Sequence, residues 1–227
     1  MRRYIIPVIF GLAGAAVLVA LGSWQLDRLA WKEAILADIR AQISAPPTVL
    51  PDRPDINDHR HLPVEVRGTL GDTALRVLVS QKQIGAGYRL ISAFDTGARR
   101  VLLDRGFISV NDPLPAPPAG MIEVIGNLHW PDERLSSTPE NDVAKNIWFA
   151  RDLAPMADLL GTEPYLIVAR KISVTEPGVT PLPLDISGIP NDHLNYAITW
   201  YSLAVIWLAM TGFFLWRMRQ AEKGKMT

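Results

Sequence analysis

The chain has 227 residues, room for one compact domain beside any membrane segments, and its 23 basic and 23 acidic residues cancel to a formal charge of zero. Residues 1–24 and 217–227 hold six of the basic residues and one acidic residue, leaving 17 basic and 22 acidic between them, a balance that offers no footprint for nucleic acid. There are no cysteines, which excludes disulfides, thiolate catalysis and cysteine-ligated zinc, c-type haem, iron–sulfur and copper sites.

Arg2 and Arg3 precede an uncharged run over residues 4–24. Ala20-Leu21-Gly22 loosely resembles a signal cleavage site, but the apolar run is longer than a signal core and reads as a first membrane span, with residues 1–24 as one unit. Gly11, Ala13, Gly14, Ala15 and Ala16 offer a surface against which another helix can pack closely. Residues 25–43 continue the helix, with Leu26, Leu29, Leu36, Ile39 and Ile43 on one stripe. Trp24, Arg28 and Trp31 or Lys32 share a face. Two readings of that face stay open: an interfacial aromatic with snorkelling cations, or a cationic clasp for an anionic ligand edge. Four prolines in residues 45–55 end the helix and predict a stiff linker, completing a segment over 25–60.

Residues 61–173 read as the folded domain. β-rich runs at 62–70, 74–84, 88–94, 100–110, 121–130, 147–150 and 164–173 are separated by Gly71-Asp72, Gly85-Ala86-Gly87, Thr96-Gly97 and a proline-rich loop. Residues 152–160 predict a short helix stopped by Gly161. The expected domain is mostly antiparallel β, barrel- or sandwich-like, with one helix. A second proline-rich tether, within residues 174–190, leads back to the membrane. In residues 191–216, the stretch from His193 to Trp216 carries no Asp, Glu, Lys or Arg, and at about 1.5 Å per residue it is long enough to cross a hydrocarbon core. Arg217, Arg219, Lys223 and Lys225 make 217–227 a basic tail. Positive charge outside both spans places both termini in the cytoplasm and the central domain outside it; Arg28 and Lys32, on the outer flank, oppose that assignment.

No arrangement for catalysis is legible: there is no G-x-S-x-G, H-E-x-x-H or P-loop, and Leu90 stands where Gly85-Ala-Gly87 would need a third glycine to resemble a dinucleotide loop. His59 and His61 read as solvated loop histidines and His129 as a strand-end residue. Asp104-Arg105-Gly106-Phe107 suggests an exposed edge or bulge that forms a contact surface, or a local ion pair. His193 differs, because it opens an apolar helix above a stripe of Tyr196 or Ala197, Trp200, Ala204 and Trp207. A neutral imidazole over aromatic and small residues suits a haem iron and its flat ring; an interfacial histidine over an aromatic belt is the other reading.

GSWQLDRLAWK, residues 22–32, resembles the G-x-W-Q-x-x-R-x-x-W-K signature of the surfeit locus protein 1 family, assembly factors for haem–copper cytochrome oxidases. IPNDHLNYAITW, residues 189–200, resembles the same family's entry into its second span, and Tyr88-Arg-Leu and Leu103-Asp-Arg-Gly106 are weaker middle matches. Asp104, Phe107 and Asp192 depart from the Asn, Trp and Asn expected there. The resemblance implies a multi-pass protein of the bacterial cytoplasmic membrane with a periplasmic domain and no enzymatic activity. It implies transient binding of haem a and delivery to cytochrome c oxidase subunit I, with haem a synthase as a further partner beside membrane lipid. It implies His193 as the axial ligand of the haem iron, and carries Trp24, Gln25, Arg28, Lys32, Tyr196 and Trp200 into the cofactor site. Ring packing is expected from the aromatic residues and propionate pairing from Arg28 and Lys32. The alternative function is a cofactor-free scaffold that stabilises an oxidase subunit during assembly.

A reporter active only outside the cytoplasm should be active when fused after Lys171 and silent when fused after Thr227. Activity at both positions, or removal of the N-terminal residues by cleavage near Gly22, would overturn the two-span topology.

Overall fold

The computed structural model describes residues 2–81, 85–186 and 188–223. Lys82, Gln83 and Ile84, at the end of the second expected strand, lie outside the described residues, as do Met1, Ser187 and residues 224–227 with Lys225. The chain divides into two compact units. One is built from residues 1–38 and 187–227, the other from residues 39–186.

The first unit is a helix pair. α1 (Arg2–Ser44) and α4 (His193–Lys223) are both long and apolar enough to cross a membrane, with mean hydropathies of 2.5 and 1.7 over their most apolar stretches. The first span and the amphipathic stretch after it form one continuous helix, as their periodicities imply. The two helices run antiparallel. Tyr4 donates to Glu222 at one end (2.6 Å), Trp207 Nε1 donates to the Gly11 carbonyl further along (3.0 Å), and Ser23 meets Tyr201 nearer the other end (3.1 Å).

The second unit is a β-barrel with added elements. β1 (Thr48–Val49) pairs parallel with β2 (Pro63–Gln81), so the proline-rich linker contributes a short strand. α2 (Ile56–His59) follows β1, capped by the Asp55 side chain, which accepts from the Asn57 N–H at 2.8 Å. β2, β3 (Gly85–Asp95), β4 (Arg100–Ser109), β6 (Glu163–Ile172) and β5 (Ile122–His129) pair in that order, and β5 pairs back onto β2 to close the barrel. β4 and β6 are parallel; the other barrel pairings are antiparallel.

Two expectations are corrected here. Gly71-Asp72 does not end a strand. Leu70 pairs with Phe94 and Ala74 with Ser92, so the intervening residues form a bulge, and one bent strand serves both β5 and β3. Residues 147–150 do not form a strand. Trp148 makes a single bridge to Val77, donating to the Arg76 carbonyl and accepting from the Leu78 N–H. α3 (Leu153–Leu160) does end at Gly161, whose left-handed φ of 63° turns its N–H back to the Ala157 carbonyl.

Strand alternation divides the core in two. Val64, Val66, Phe94, Val101, Leu103, Val124 and Ile167 fill the barrel interior. Leu75, Val77, Ile91, Leu102, Leu166 and Val168 face outward and are covered by Trp148 and by Met156, Ala157 and Leu160 of α3. β4 and β6 are therefore buried on both faces, which explains the unbroken apolar runs of their sequences.

The stretch expected to be a second tether is bonded along β4. Phe107 and Thr180 exchange backbone hydrogen bonds of 2.7 and 2.9 Å, and Arg89 donates to the Leu182 carbonyl at 3.0 Å. Gly106 makes this approach feasible. Its φ is +125°, and a Cβ there would lie 2.2 Å from the Thr180 carbonyl oxygen. Gly106→Ala should therefore lower the unfolding free energy of the detergent-solubilised protein by at least about 2 kcal/mol, through combined strain and displacement of the strap. Urea unfolding followed by tryptophan fluorescence checks this; an unchanged midpoint would refute it.

Candidate functional site

Small residues of α1 set the geometry of the helix pair. A Cβ on Gly11 would stand 2.3 Å from Cγ2 of Thr211, and one on Gly14 would stand 2.5 Å from Nε1 of Trp207. Ala15 of α1 and Ala197 and Ala204 of α4 are buried in the same seam. The close approach expected from the glycine- and alanine-rich run is thus realised against α4.

At the other end of the seam the chemistry becomes polar. His193 is the first residue of α4, and its Nδ1 lies 2.8 Å from Oε1 of Gln25. Lys32 donates from Nζ to the Pro190 carbonyl just before α4. Arg28 turns to its own helix, with its guanidinium 4.2 Å above the ring of Trp31. Trp24 and Trp31 are exposed, as is Tyr196, while Trp200 is half-buried.

The first motif therefore divides between two directions. Gln25 and Lys32 reach α4, while Trp24, Arg28 and Trp31 point away from it. On α4, of the two alternatives for the stripe, Ala197, 1% exposed, closes against α1 and Tyr196 turns outward. Successive helical residues advance about 100°, and the Phe10–Trp207 ring contact (5.3 Å between centroids) marks one flank of the pair. Counted from it, Trp24, Arg28 and Trp31 on α1 and Tyr196 and Trp200 on α4 fall on that same flank. Ser23 and Tyr201 mark the opposite one. The result is a shallow, aromatic-walled, cationic face with His193 at its edge. An apolar recess of about 430 Å³, lined by Phe10, Trp207, Met210 and Phe214, lies further down the helix pair. Phe10 is about 22 Å along α1 from Gln25.

In the barrel unit, the remaining histidines are more structured than the sequence suggests. His59 Nδ1 accepts from the Asp55 N–H at 3.0 Å. His61, with a positive φ of 71°, stacks on His129 with ring centroids 6.0 Å apart. His129 is the last residue of β5, as expected, whereas the expectation of a solvated His61 is corrected: the long-range β2–β5 pairing brings it against His129. Burial, with Arg151 and His61 alongside, lowers the His129 pKa to about 3.

At Asp104-Arg105-Gly106 the expected bulge is present, since the β3–β4 register shifts between Arg89 and Ile91, but the expected exposure is corrected. Asp104 and Arg105 are both buried, and they do not form a local pair with one another. Asp104 accepts from Arg89 at 2.5 Å and lies 3.6 Å from Arg151. Arg105 pairs with Glu176, and its Nη1 donates to Ser92 at 3.3 Å. Burial pushes the Asp104 carboxyl pKa up against the two arginines. Arg89, Arg151 and Glu176 lie far from these residues in the chain, so no local spacing signals the network. Among the described residues, no three His, Asp or Glu side chains group to hold a metal ion.

The model of the SURF1 family matches residues 12–205, a stretch that begins inside α1, ends inside α4 and takes in both terminal motifs. The chain belongs to the SURF1 family. It is 30% identical over 211 residues to Surfeit locus protein 1 of Xenopus tropicalis, covering 81% of this chain and 67% of the relative. The SURF1-like protein of Rickettsia felis is 29% identical over 201 residues, covering 83% of this chain and 88% of the relative. Surfeit locus protein 1 of Homo sapiens is 27% identical over 208 residues, with coverages of 81% and 69%.

The depressed pKa of His129 has a measurable consequence for this SURF1 family member. Between about pH 6.5 and about pH 3 the unfolded chain binds a proton at His129 that the folded chain excludes, so stability falls as pH falls through that window. His129→Leu should remove about 3 kcal/mol of the stability lost between pH 7 and pH 4. Equal pH dependence of the two proteins in urea unfolding would refute the assignment.

Proposed function

We propose that the chain is an assembly factor for haem–copper cytochrome c oxidase that binds haem a at the His193 end of the α1–α4 pair and helps deliver it to oxidase subunit I. Family membership supports the assembly role. His193 carries the haem reading: it is the sole histidine in either long helix, and it stands at the first residue of α4 with Nδ1 held by Gln25. Its Nε2 makes no hydrogen bond among the described residues.

The side chains around it fit such a cargo. Haem a carries an iron that takes axial nitrogen ligands, a flat macrocycle and anionic propionates. His193 offers an imidazole nitrogen. Trp24, Trp31, Tyr196 and Trp200 offer aromatic faces on one flank. Arg28 is the exposed cation on that flank and the residue best placed to pair with a propionate. Lys32 donates one of its three N–H groups to the Pro190 carbonyl, which helps to fix the start of α4. The closed seam beneath Ala197 leaves the flank, rather than the space between the helices, as the surface for a planar ligand. A shallow face suits a carrier that must release its cargo to the next protein. In this reading haem a synthase is the source and subunit I the acceptor. The site faces the outer side of the bacterial cytoplasmic membrane, with both termini cytoplasmic and the barrel periplasmic.

The deciding experiment is His193→Ala, purified in detergent from cells that make haem a. The Soret band should disappear or shift strongly while expression and barrel folding stay normal. Arg28→Ala should lower haem retention without loss of protein, because an exposed cation contributes only about 0–1 kcal/mol to stability. A wild-type spectrum at wild-type occupancy from His193→Ala would overturn the haem assignment. Oxidase assembly supported by that variant would then favour the cofactor-free scaffold.

A further inference from the structure

An imidazole can bind iron through either nitrogen, and the two leave the ring in different directions. In this chain Gln25 stands at one of the two nitrogens. Its Oε1 lies 2.8 Å from Nδ1 of His193. A carboxamide oxygen accepts hydrogen bonds and cannot donate, so the proton of the neutral ring resides on Nδ1 and the lone pair on Nε2. We propose that Gln25 is the positioning residue of the site: it holds His193 in the Nδ1–H tautomer, fixes the plane of the ring, and leaves Nε2 as the ligating atom. This rests on the reading of His193 as the iron ligand, and it gives Gln25 a role apart from direct contact with the haem.

The surrounding geometry supports that role. Gln25 and Lys32 are seven residues apart and share the face of α1 that meets α4. Gln25 bonds the His193 ring, and Lys32 bonds the Pro190 carbonyl three residues earlier. One helix face thus fixes both the backbone entering α4 and the side chain at its first turn. Trp24, immediately before Gln25, points outward to the flank. Consecutive residues of the motif therefore divide the work, Trp24 forming part of the binding surface and Gln25 orienting the ligand from behind. A neutral amide also avoids a fixed negative charge at a membrane surface. A carboxylate there would draw more strongly on the Nδ1 proton and make the ligand more electron-rich.

The tautomer can be read without any haem. In the detergent-solubilised chain labelled with ¹⁵N-histidine, the His193 signals are those lost in His193→Ala. They should show a protonated Nδ1 and an unprotonated Nε2. Gln25→Leu should shift that ring towards the Nε2–H form, while Gln25→Glu, which keeps an acceptor oxygen, should retain Nδ1–H. With haemin as probe, Gln25→Leu should bind about 10- to 100-fold more weakly than wild type. Gln25→Glu should restore the affinity and give a lower midpoint potential. A merely structural role would change thermal stability and leave the tautomer unaltered. An Nδ1–H ring in Gln25→Leu overturns the proposal, and so does full haemin affinity in Gln25→Leu when His193→Ala has lost it. Normal haemin binding by His193→Ala overturns the ligand reading and this proposal together, which distinguishes the two failures.

Discussion

The close approach of two antiparallel helices is the constraint on which the candidate site depends. In a membrane interior, apolar side chains gain little by leaving lipid for one another, so helix association relies on tight packing and on hydrogen bonds. α1 meets both needs. Gly11 and Gly14 admit Thr211 and Trp207, and the Gly11 carbonyl accepts from the Trp207 indole. These contacts lie far from His193, yet they set the register of the pair. That register brings Gln25 opposite His193 and Lys32 opposite Pro190. A slip of one turn, about 5.4 Å, would break both polar links.

A comparable economy runs through the barrel. β4 carries Asp104 and Arg105 on consecutive positions, so one charge faces each side of the strand. Arg89 and Arg151 converge on the first, and Glu176 on the second. Removing one partner from such a buried group is costly, on the order of 3–5 kcal/mol, because the remaining charge stays desolvated. The two groups therefore join β3, β4, the segment before α3 and the strap after β6 into one cooperative unit. The departure of Asp104 from the Asn expected by resemblance has its physical counterpart here, since two guanidinium groups favour a full negative charge.

What could be read from the sequence was local. A run without charges identifies an apolar helix whatever surrounds it, and α1 and α4 were visible for that reason. Gly161 ends α3 because a left-handed residue is needed at that point. Both terminal motifs and the histidine between helix and loop were also recognisable. The illegible features depend on partners distant in the chain. Gly71-Asp72 has the composition of a turn, but β2 continues through it because β3 and β5 hold its two halves. His61 and His129 are each unremarkable alone and become a stacked pair only when β2 meets β5. The burial of Asp104 requires Arg151, and the exposure of Tyr196 beside buried Ala197 depends on which face of α4 meets α1. Helical spacing alone left the two as alternatives for one position of the stripe.

The strap across β4 has a consequence beyond holding the chain ends. β2, β3 and β4 extend past the closed part of the barrel, and the outer strands of such a ribbon would present unpaired N–H and C=O groups. Thr180 occupies that position beside Phe107, and Trp148 occupies the corresponding one beside Val77. Exposed edges recruit strands from other chains, the route by which β proteins form aggregates. A membrane-anchored protein meets its own copies at high local density, in a plane, with fewer orientations available than in solution. Stopping the ribbon with irregular segments of the same chain, the one at Thr180 rich in proline, leaves neighbouring barrels little to pair with, so crowding in the membrane need not become polymerisation.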